Sequence, residues 1–282
     1  MDLSERSFRV HFLAKEVQSM KILKVYRVFF SPSETTKTVV NEIAKQFVNY
    51  PSEEIDLTRY ENRQRDYCFT ETDLVIIGAP AYAGRVPAPE VEALSRFHGL
   101  NTPAVLVATY GNRGVDDTLM ELYKVSMQQE FIPVAAGTFP CQHTLLSELG
   151  EGRPDEADLE VIRSFGSKLR DRLRISVAYN MNKLDIPGSY PYEKPPMGIF
   201  PFQVETSEFC IYCMLCADVC PMQVISHDNP FTIDHSRCIR CGSCLRICPA
   251  QAKYFTEGPF TALQERLRIF VDERMEPWYV IG

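Results

Sequence analysis

The sequence predicts an α/β protein: a doubly wound parallel five-stranded sheet, followed by a small, cysteine-rich α+β segment. Two observations carry this. Over residues 1–180, short β-branched or aromatic runs alternate with amphipathic helical patterns, which implies parallel strands covered on both faces by helices. Beyond residue 204, eight of the ten cysteines fall into two copies of one spacing.

Residues 22–30 are β-branched and aromatic and read as the first strand. The loop 31–37 (SPSETTK) follows, and Val39, Val40, Ile43, Ala44 and Phe47 then supply a helical apolar stripe. The pattern recurs as a strand at 73–78 (DLVIIG) with a helix from Ala88, and as a strand at 104–109 with a helix from Val115. A strand at 132–137, counted as the fifth, precedes a helix from Ala157. In such sheets ligands bind beyond the carboxyl ends of the strands, where the strand order reverses. Three loops compete for that place: 31–37, 79–89 and 109–117. Asp116 and Asp117 are expected to cap the helix after the third loop.

Residues 181–204 have linker composition, with prolines at 187, 191, 195, 196 and 201, and such a segment is semi-rigid rather than floppy. The expected division is an extension at 1–19, an α/β domain at 20–180, the linker at 181–204, the cysteine-rich domain at 205–257 and a tail at 258–282. In the tail, Leu263, Leu267, Phe270 and Val271 have helical spacing within 262–276, and Trp278 closes a packing segment. Residues 1–19 lack a signal peptide's continuous apolar core and small-residue cleavage site; Met20 is a candidate start, and a cytoplasmic location is expected. Net charge is −7, without the basic excess that nucleic-acid binding needs. No apolar run approaches the roughly 18 residues of a membrane span, so no membrane partner is expected.

The cysteine runs are Cys210, Cys213, Cys216, Cys220-Pro221 and Cys238, Cys241, Cys244, Cys248-Pro249, which is CxxCxxCxxxCP written twice at a constant offset of 28. Ile211/Ile239 and Gln223/Gln251 recur at the same offset, so the segment is an internal duplication. Structural zinc has no use for a third cysteine in each run, and disulfides need an oxidising compartment. Residues 205–257 resemble a bacterial two-cluster ferredoxin. The resemblance implies two 4Fe-4S clusters with exchanged fourth ligands: Cys210, Cys213, Cys216 and Cys248 on one, and Cys238, Cys241, Cys244 and Cys220 on the other. Cys68 and Cys141 lie outside the motif and read as small buried hydrophobes.

The loop SPSETT resembles the flavodoxin phosphate pattern Ser/Thr-x-Thr-Gly-x-Thr, with Glu34 where that pattern has glycine. Loop 79–89 (APAYAGRVPAP) resembles the flavin loop of flavodoxin-like proteins. The resemblance implies FMN, with Ser31, Ser33, Thr35, Thr36 and Lys37 at the phosphate. Pro80, Ala81, Tyr82, Ala83, Gly84, Arg85, Val86, Thr109, Tyr110, Gly111, Asn112 and Arg113 would lie around the flavin ring. Tyr82 and Tyr110 could each stack on the ring or pack under their own loop. His143 would lie on the same rim, as a proton donor or in a structural hydrogen bond.

The chain over residues 20–257 thus resembles the flavodoxin–ferredoxin fusions of anaerobes, sometimes called ferrodoxins. The resemblance implies a low-potential electron-transfer adaptor moving electrons between FMN and two 4Fe-4S clusters, with a ferredoxin or low-potential reductase as partner. Two other functions compete with it. One is an FMN-dependent reductase of a small-molecule acceptor, fed by its own clusters. The other is a cluster-bearing sensor without flavin, for which Glu34 would be the reason. No catalytic residue is identified, and the absence of a GxGxxG loop argues against a nicotinamide domain.

Overall fold

A computed structural model describes residues 21–174, 184–196, 198 and 200–282. The expected extension at 1–19, Met20 and positions 181–183, 197 and 199 of the linker lie outside the described residues. In chain order the first elements are β1 (Lys24–Phe29), α1 (Thr35–Ala44), β2 (Ser52–Asp56), α2 (Tyr60–Arg63), β3 (Tyr67–Cys68) and β4 (Asp73–Pro80). Next come α3 (Ala88–Leu94), β5 (Phe97–His98), β6 (Thr102–Tyr110), α4 (Thr118–Gln128), β7 (Phe131–Pro140) and α5 (Glu156–Arg174). The remaining elements are β8 (Val204–Thr206), α6 (Leu215–Asp218), α7 (Ser243–Ile247), β9 (Lys253–Phe255), α8 (Pro259–Arg268) and β10 (Trp278–Ile281).

The main sheet has the order β10-β7-β6-β4-β1-β2. Its five parallel strands run 2-1-3-4-5 in their own sequence order, the flavodoxin-like arrangement, and the order reverses between β1 and β4. Strand alternation sends Val25 and Phe29 to one face, where they meet Val39, Val40 and Ile43 of α1 and Ile162, Phe165 and Leu169 of α5. Val28, Val75, Ile77 and Leu106 face the other way, onto Ala93 and Leu94 of α3 and Leu119 and Leu122 of α4. Because both faces are covered, β4 and β6 are buried along their whole length.

Two departures from the expected fold have clear causes. Strand β2 (SEEID) escapes the apolar pattern because it is the sheet's edge, where only Ile55 is buried; Glu53 and Glu54 instead pair with Lys24 and Arg27 of β1. The sheet has a sixth strand, since the tail is not one helix over 262–276: α8 ends at Arg268 and the chain returns as β10, antiparallel to β7. The turn back is held by Arg153. Its guanidinium pairs with Asp158 (2.8 and 2.5 Å) and also donates to Asn112 Oδ1 and Met275 O, both at 2.6 Å. Arg274 adds a pair to Asp155 at 2.7 Å.

The linker is stitched down rather than merely extended. Leu184 and Ile186 enter the core, and the Asp117 carboxylate accepts N–H groups from Ser189 (2.9 Å) and Lys194 (2.7 Å). Asp117 does stand at the N-cap position of α4, yet its side chain makes no capping bond, so the expected cap is replaced by a linker anchor.

Strands β8 and β9 pair antiparallel, and Phe202, Val204, Val224, Ile225 and Phe255 form a separate small core with Cys216 and Cys244. The duplication is visible in the backbone. Left-handed residues recur 28 positions apart, at Tyr212 (φ 54°) and Arg240 (φ 53°), Met214 (φ 60°) and Gly242 (φ 74°), and Gln223 (φ 50°) and Gln251 (φ 51°). No helix among the described residues is long and apolar enough to cross a membrane.

Arg153 and Asp158 are both almost fully buried, so Arg153→Ala strands a carboxylate in the interior. Urea unfolding should show a loss of about 3 kcal/mol; an unchanged midpoint would show that the tail is held by something else.

Candidate cofactor sites

The short helices α6 and α7 each follow a left-handed residue, which curls the preceding cysteines around a common centre. Cys220, Cys238, Cys241 and Cys244 line one small apolar cavity, and Cys210, Cys213, Cys216 and Cys248 line another. Each run therefore lends its fourth cysteine to the other run's cavity. Electrostatics agrees with the grouping, since burial raises the Cys244 thiol most and the neighbouring Cys241, Cys220 and Cys238 raise it further. Burial pushes Cys241 up to about 12, so this thiol ionises at neutral pH only with a bound cation beside it. Among the described residues, no three or more His, Cys, Asp or Glu side chains converge as ligands of a single ion would. A ring of four thiols around a wider centre suits an iron-sulfur cluster. Each cavity also has a buried cation in its wall: Arg240 in the second set, and Lys253 in the first, where its Nζ donates to Thr206 Oγ1 (2.5 Å) and Pro230 O (2.6 Å).

A much larger cavity, about 430 Å³, opens at the carboxyl ends of β1, β4, β6 and β7. Of the residues expected around a flavin, Ser33, Thr35, Pro80, Ala81, Tyr82, Ala83, Gly84, Thr109, Tyr110, Gly111 and Arg113 line it. Six others do not. Ser31 is buried and its Oγ accepts the Lys37 N–H at 3.0 Å, while Thr36 Oγ1 meets Thr109 Oγ1 at 2.7 Å, so both brace the loop from behind. Lys37 turns to Glu34 at 3.5 Å. Arg85, expected around the flavin ring, is buried against Glu121 (2.8 and 2.5 Å) and lies 4.0 Å over the Tyr192 ring; Val86 is in the core. Asn112 is also buried, and its amide binds Glu273 O and Arg153.

Glu34 takes the left-handed conformation (φ 64°) that a glycine would take without strain, and its carboxylate is directed to solvent beside Lys37. It therefore follows the backbone path of the phosphate pattern without placing charge inside the loop. Burial raises the Tyr82 hydroxyl well above its ordinary value and that of Tyr110 to about 12, so both remain neutral phenols in the cavity wall.

Sequence reasoning missed much of the wall. Cys141, Gln142, Thr144 and Leu145 follow β7, and their position past a fifth strand was the available signal. Lys194 and Phe200 come from the linker, Ile239, Arg240 and Cys241 from the second cysteine run, and Leu263, Arg266, Leu267 and Phe270 from the tail. Nothing local marks these residues, because only tertiary packing brings them to the sheet. Arg113, Lys194, Arg240 and Arg266 line the cavity, and no carboxylate is among its lining residues. Glu90, at the start of α3, is fully buried with both oxygens unpartnered, and burial holds it protonated.

Comparison with known proteins bears on each half. Residues 209–257 match the 4Fe-4S dicluster domain family. A search of curated proteins finds no significant match. Among solved structures, a flavodoxin from the domain Archaea is 13% identical over 54% of this chain and 100% of its own, with TM-score 0.38. The rubredoxin oxygen:oxidoreductase of the anaerobe Desulfovibrio gigas is 16% identical over 58% of this chain and 39% of its own, with TM-score 0.40. The flavodoxin-like assignment rests on the strand order itself. The chain thus joins a flavodoxin-like α/β domain to a ferredoxin-type 4Fe-4S domain.

His143 lines the cavity, and its Nδ1 accepts the Leu145 N–H at 3.1 Å, which leaves the ring proton on Nε2. Burial and the nearby Arg113 charge lower its pKa to about 4. The unfolded chain takes up this proton near 6.5, so His143 costs stability as pH falls from about 6.5 toward 4. NMR of the ring should show a neutral Nε2–H tautomer at neutral pH, and a ring that titrates near 6.5 would contradict the site.

Proposed function

We propose that the protein is an iron-sulfur flavoprotein that carries electrons between two 4Fe-4S clusters and FMN, as a low-potential adaptor for a redox partner. The observation that carries this is a shared wall: Ile239, Arg240 and Cys241 line both the cavity of the second thiol set and the large cavity on the α/β domain. Electron tunnelling falls steeply with distance, and Cys241 belongs to the walls of both cavities, so a cluster and a flavin held there would be neighbours.

In this reading Cys220, Cys238, Cys241 and Cys244 hold the inner cluster, and Cys210, Cys213, Cys216 and Cys248 hold the outer one. Cys213 is exposed, and Phe209, Ile211, Tyr212 and Leu215 make an exposed apolar rim around its run. A partner such as a ferredoxin or low-potential reductase would dock there, so that electrons pass partner, outer cluster, inner cluster, flavin, or the reverse. Ser33, Thr35 and the first-turn N–H groups of α1 would take the FMN phosphate, while the loops at 80–84 and 109–113 border the ring. FMN, when bound, supplies the conversion between one-electron and two-electron transfer. Residues 20–180 form the flavin domain and 205–257 the cluster domain, with 258–282 closing the cavity. The proposed location is the cytoplasm, where thiol ligands stay reduced.

The competing reductase function needs a second small molecule beside the flavin. A cavity of about 430 Å³, roofed by Leu263, Leu267 and Phe270 of the tail, is sized for one ligand, which favours the carrier.

Anaerobically purified protein should release one FMN per chain on denaturation and hold about eight irons; a yellow-free preparation that cannot be reconstituted with FMN would overturn the proposal. Cys220→Ala should lose the inner cluster and retain about four irons. Loss confined to the cluster of Cys210, Cys213 and Cys216 would refute the exchanged ligand assignment.

A further inference from the structure

Helix α7, which carries the inner-cluster ligand Cys244, lies directly on the loop at 31–37. Ser243 Oγ donates to Pro32 O at 2.6 Å in a buried bond, and Arg246 donates through Nη2 to Pro32 O (2.7 Å) and through Nη1 to Ser33 O (2.5 Å). Two consecutive carbonyls of the loop are thus held by three donors from the other half of the molecule. In a trans peptide the carbonyl and the following N–H point in opposite directions. Fixing the Pro32 and Ser33 carbonyls toward α7 therefore turns the Ser33 and Glu34 N–H groups away from it. The Glu34 N–H closes the turn onto Ser31 O at 3.1 Å, and Glu34 enters the left-handed region that is strained for any residue but glycine.

We propose that Ser243 and Arg246 are positioning residues of the flavin phosphate subsite: the cluster-bearing half holds the loop in its anion-binding shape, compensating for Glu34 in glycine's place. The inference rests on the FMN assignment above. It makes flavin affinity depend on the inner cluster, because α7 carries the inner-cluster ligand Cys244 between Ser243 and Arg246, and linkage requires FMN in turn to favour retention of that cluster. Arg246 also brings a positive charge beside the phosphate loop, offsetting the Glu34 carboxylate that the loop carries.

The test compares FMN with riboflavin, which lacks the phosphate, on anaerobic, cluster-loaded protein whose iron content is checked for every variant. Arg246→Ala should weaken FMN binding roughly tenfold, from the loss of charge-assisted hydrogen bonds, and leave riboflavin affinity unchanged. Arg246→Lys, which keeps the charge but not the two-pronged grip, should fall between, and Ser243→Ala serves if Arg246→Ala loses iron. Unchanged FMN affinity, or an equal loss for both flavins, overturns the proposal. Amide exchange over residues 31–38 reads the clamp with no flavin present: faster exchange in Arg246→Ala supports it and unchanged exchange defeats it. Wild-type protein that binds neither flavin would instead defeat the FMN assignment, leaving the clamp to be judged by exchange.

Discussion

The seam where α7 and the turn at 239–241 meet the carboxyl ends of β1 and β4 is a set of polar contacts between two cores. Arg63 donates to Pro221 O next to Cys220, and Ser243 and Arg246 grip the loop after β1, while Arg240 braces the small core's own side through Phe202 O and Cys238 O. Carbonyl oxygens accept most of these bonds, so the seam fixes backbone rather than side-chain positions. Backbone at both ends of the seam belongs to a candidate ligand-binding turn. A shift there would change both the thiol cage and the loop above the sheet, which makes the two halves one device.

Around that seam the rest of the chain acts as cladding. The linker is tied to α4 through Asp117 and to the loop after β4 through Arg85, whose guanidinium donates to Lys194 O at 2.8 Å. The tail crosses the mouth of the large cavity as α8 and then locks into the sheet as β10, anchored by Arg153, Asn112 and Arg274. Among these anchors the Arg153–Asp158 pair is buried and multiply bonded, the condition under which an ion pair is strongly missed when broken. A cavity lined by four cations in a chain of net charge −7 is a local inversion of the protein's field. It suits an anionic ligand, as FMN and its reduced form are.

Much of this was legible in the sequence, and for identifiable reasons. The cysteine repeat is local and its offset constant, so the duplication could be read before any geometry, while the exchange of Cys220 and Cys248 was implied by the resemblance to two-cluster ferredoxins. Strands β4, β6 and β7 are buried on both faces and announce themselves as apolar runs, while edge strand β2 does not. Eleven of the seventeen residues expected at the flavin line the cavity. Of the other six, Arg85 and Asn112 are polar residues whose partners Glu121 and Arg153 lie 36 and 41 positions away, a pairing that no local pattern encodes.

Taken alone, the sequence determined the composition of the device: a doubly wound sheet with loops of flavodoxin type, and a duplicated ferredoxin-type motif behind it. Periodicity and fixed spacing are properties of neighbouring residues, and both features are written in them. Only the tertiary structure decided that the second cysteine run, the linker and the tail share one cavity wall with the sheet, and that α7 grips the loop after β1. Those contacts join residues more than 200 positions apart through backbone carbonyls, which every residue possesses and no sequence pattern distinguishes.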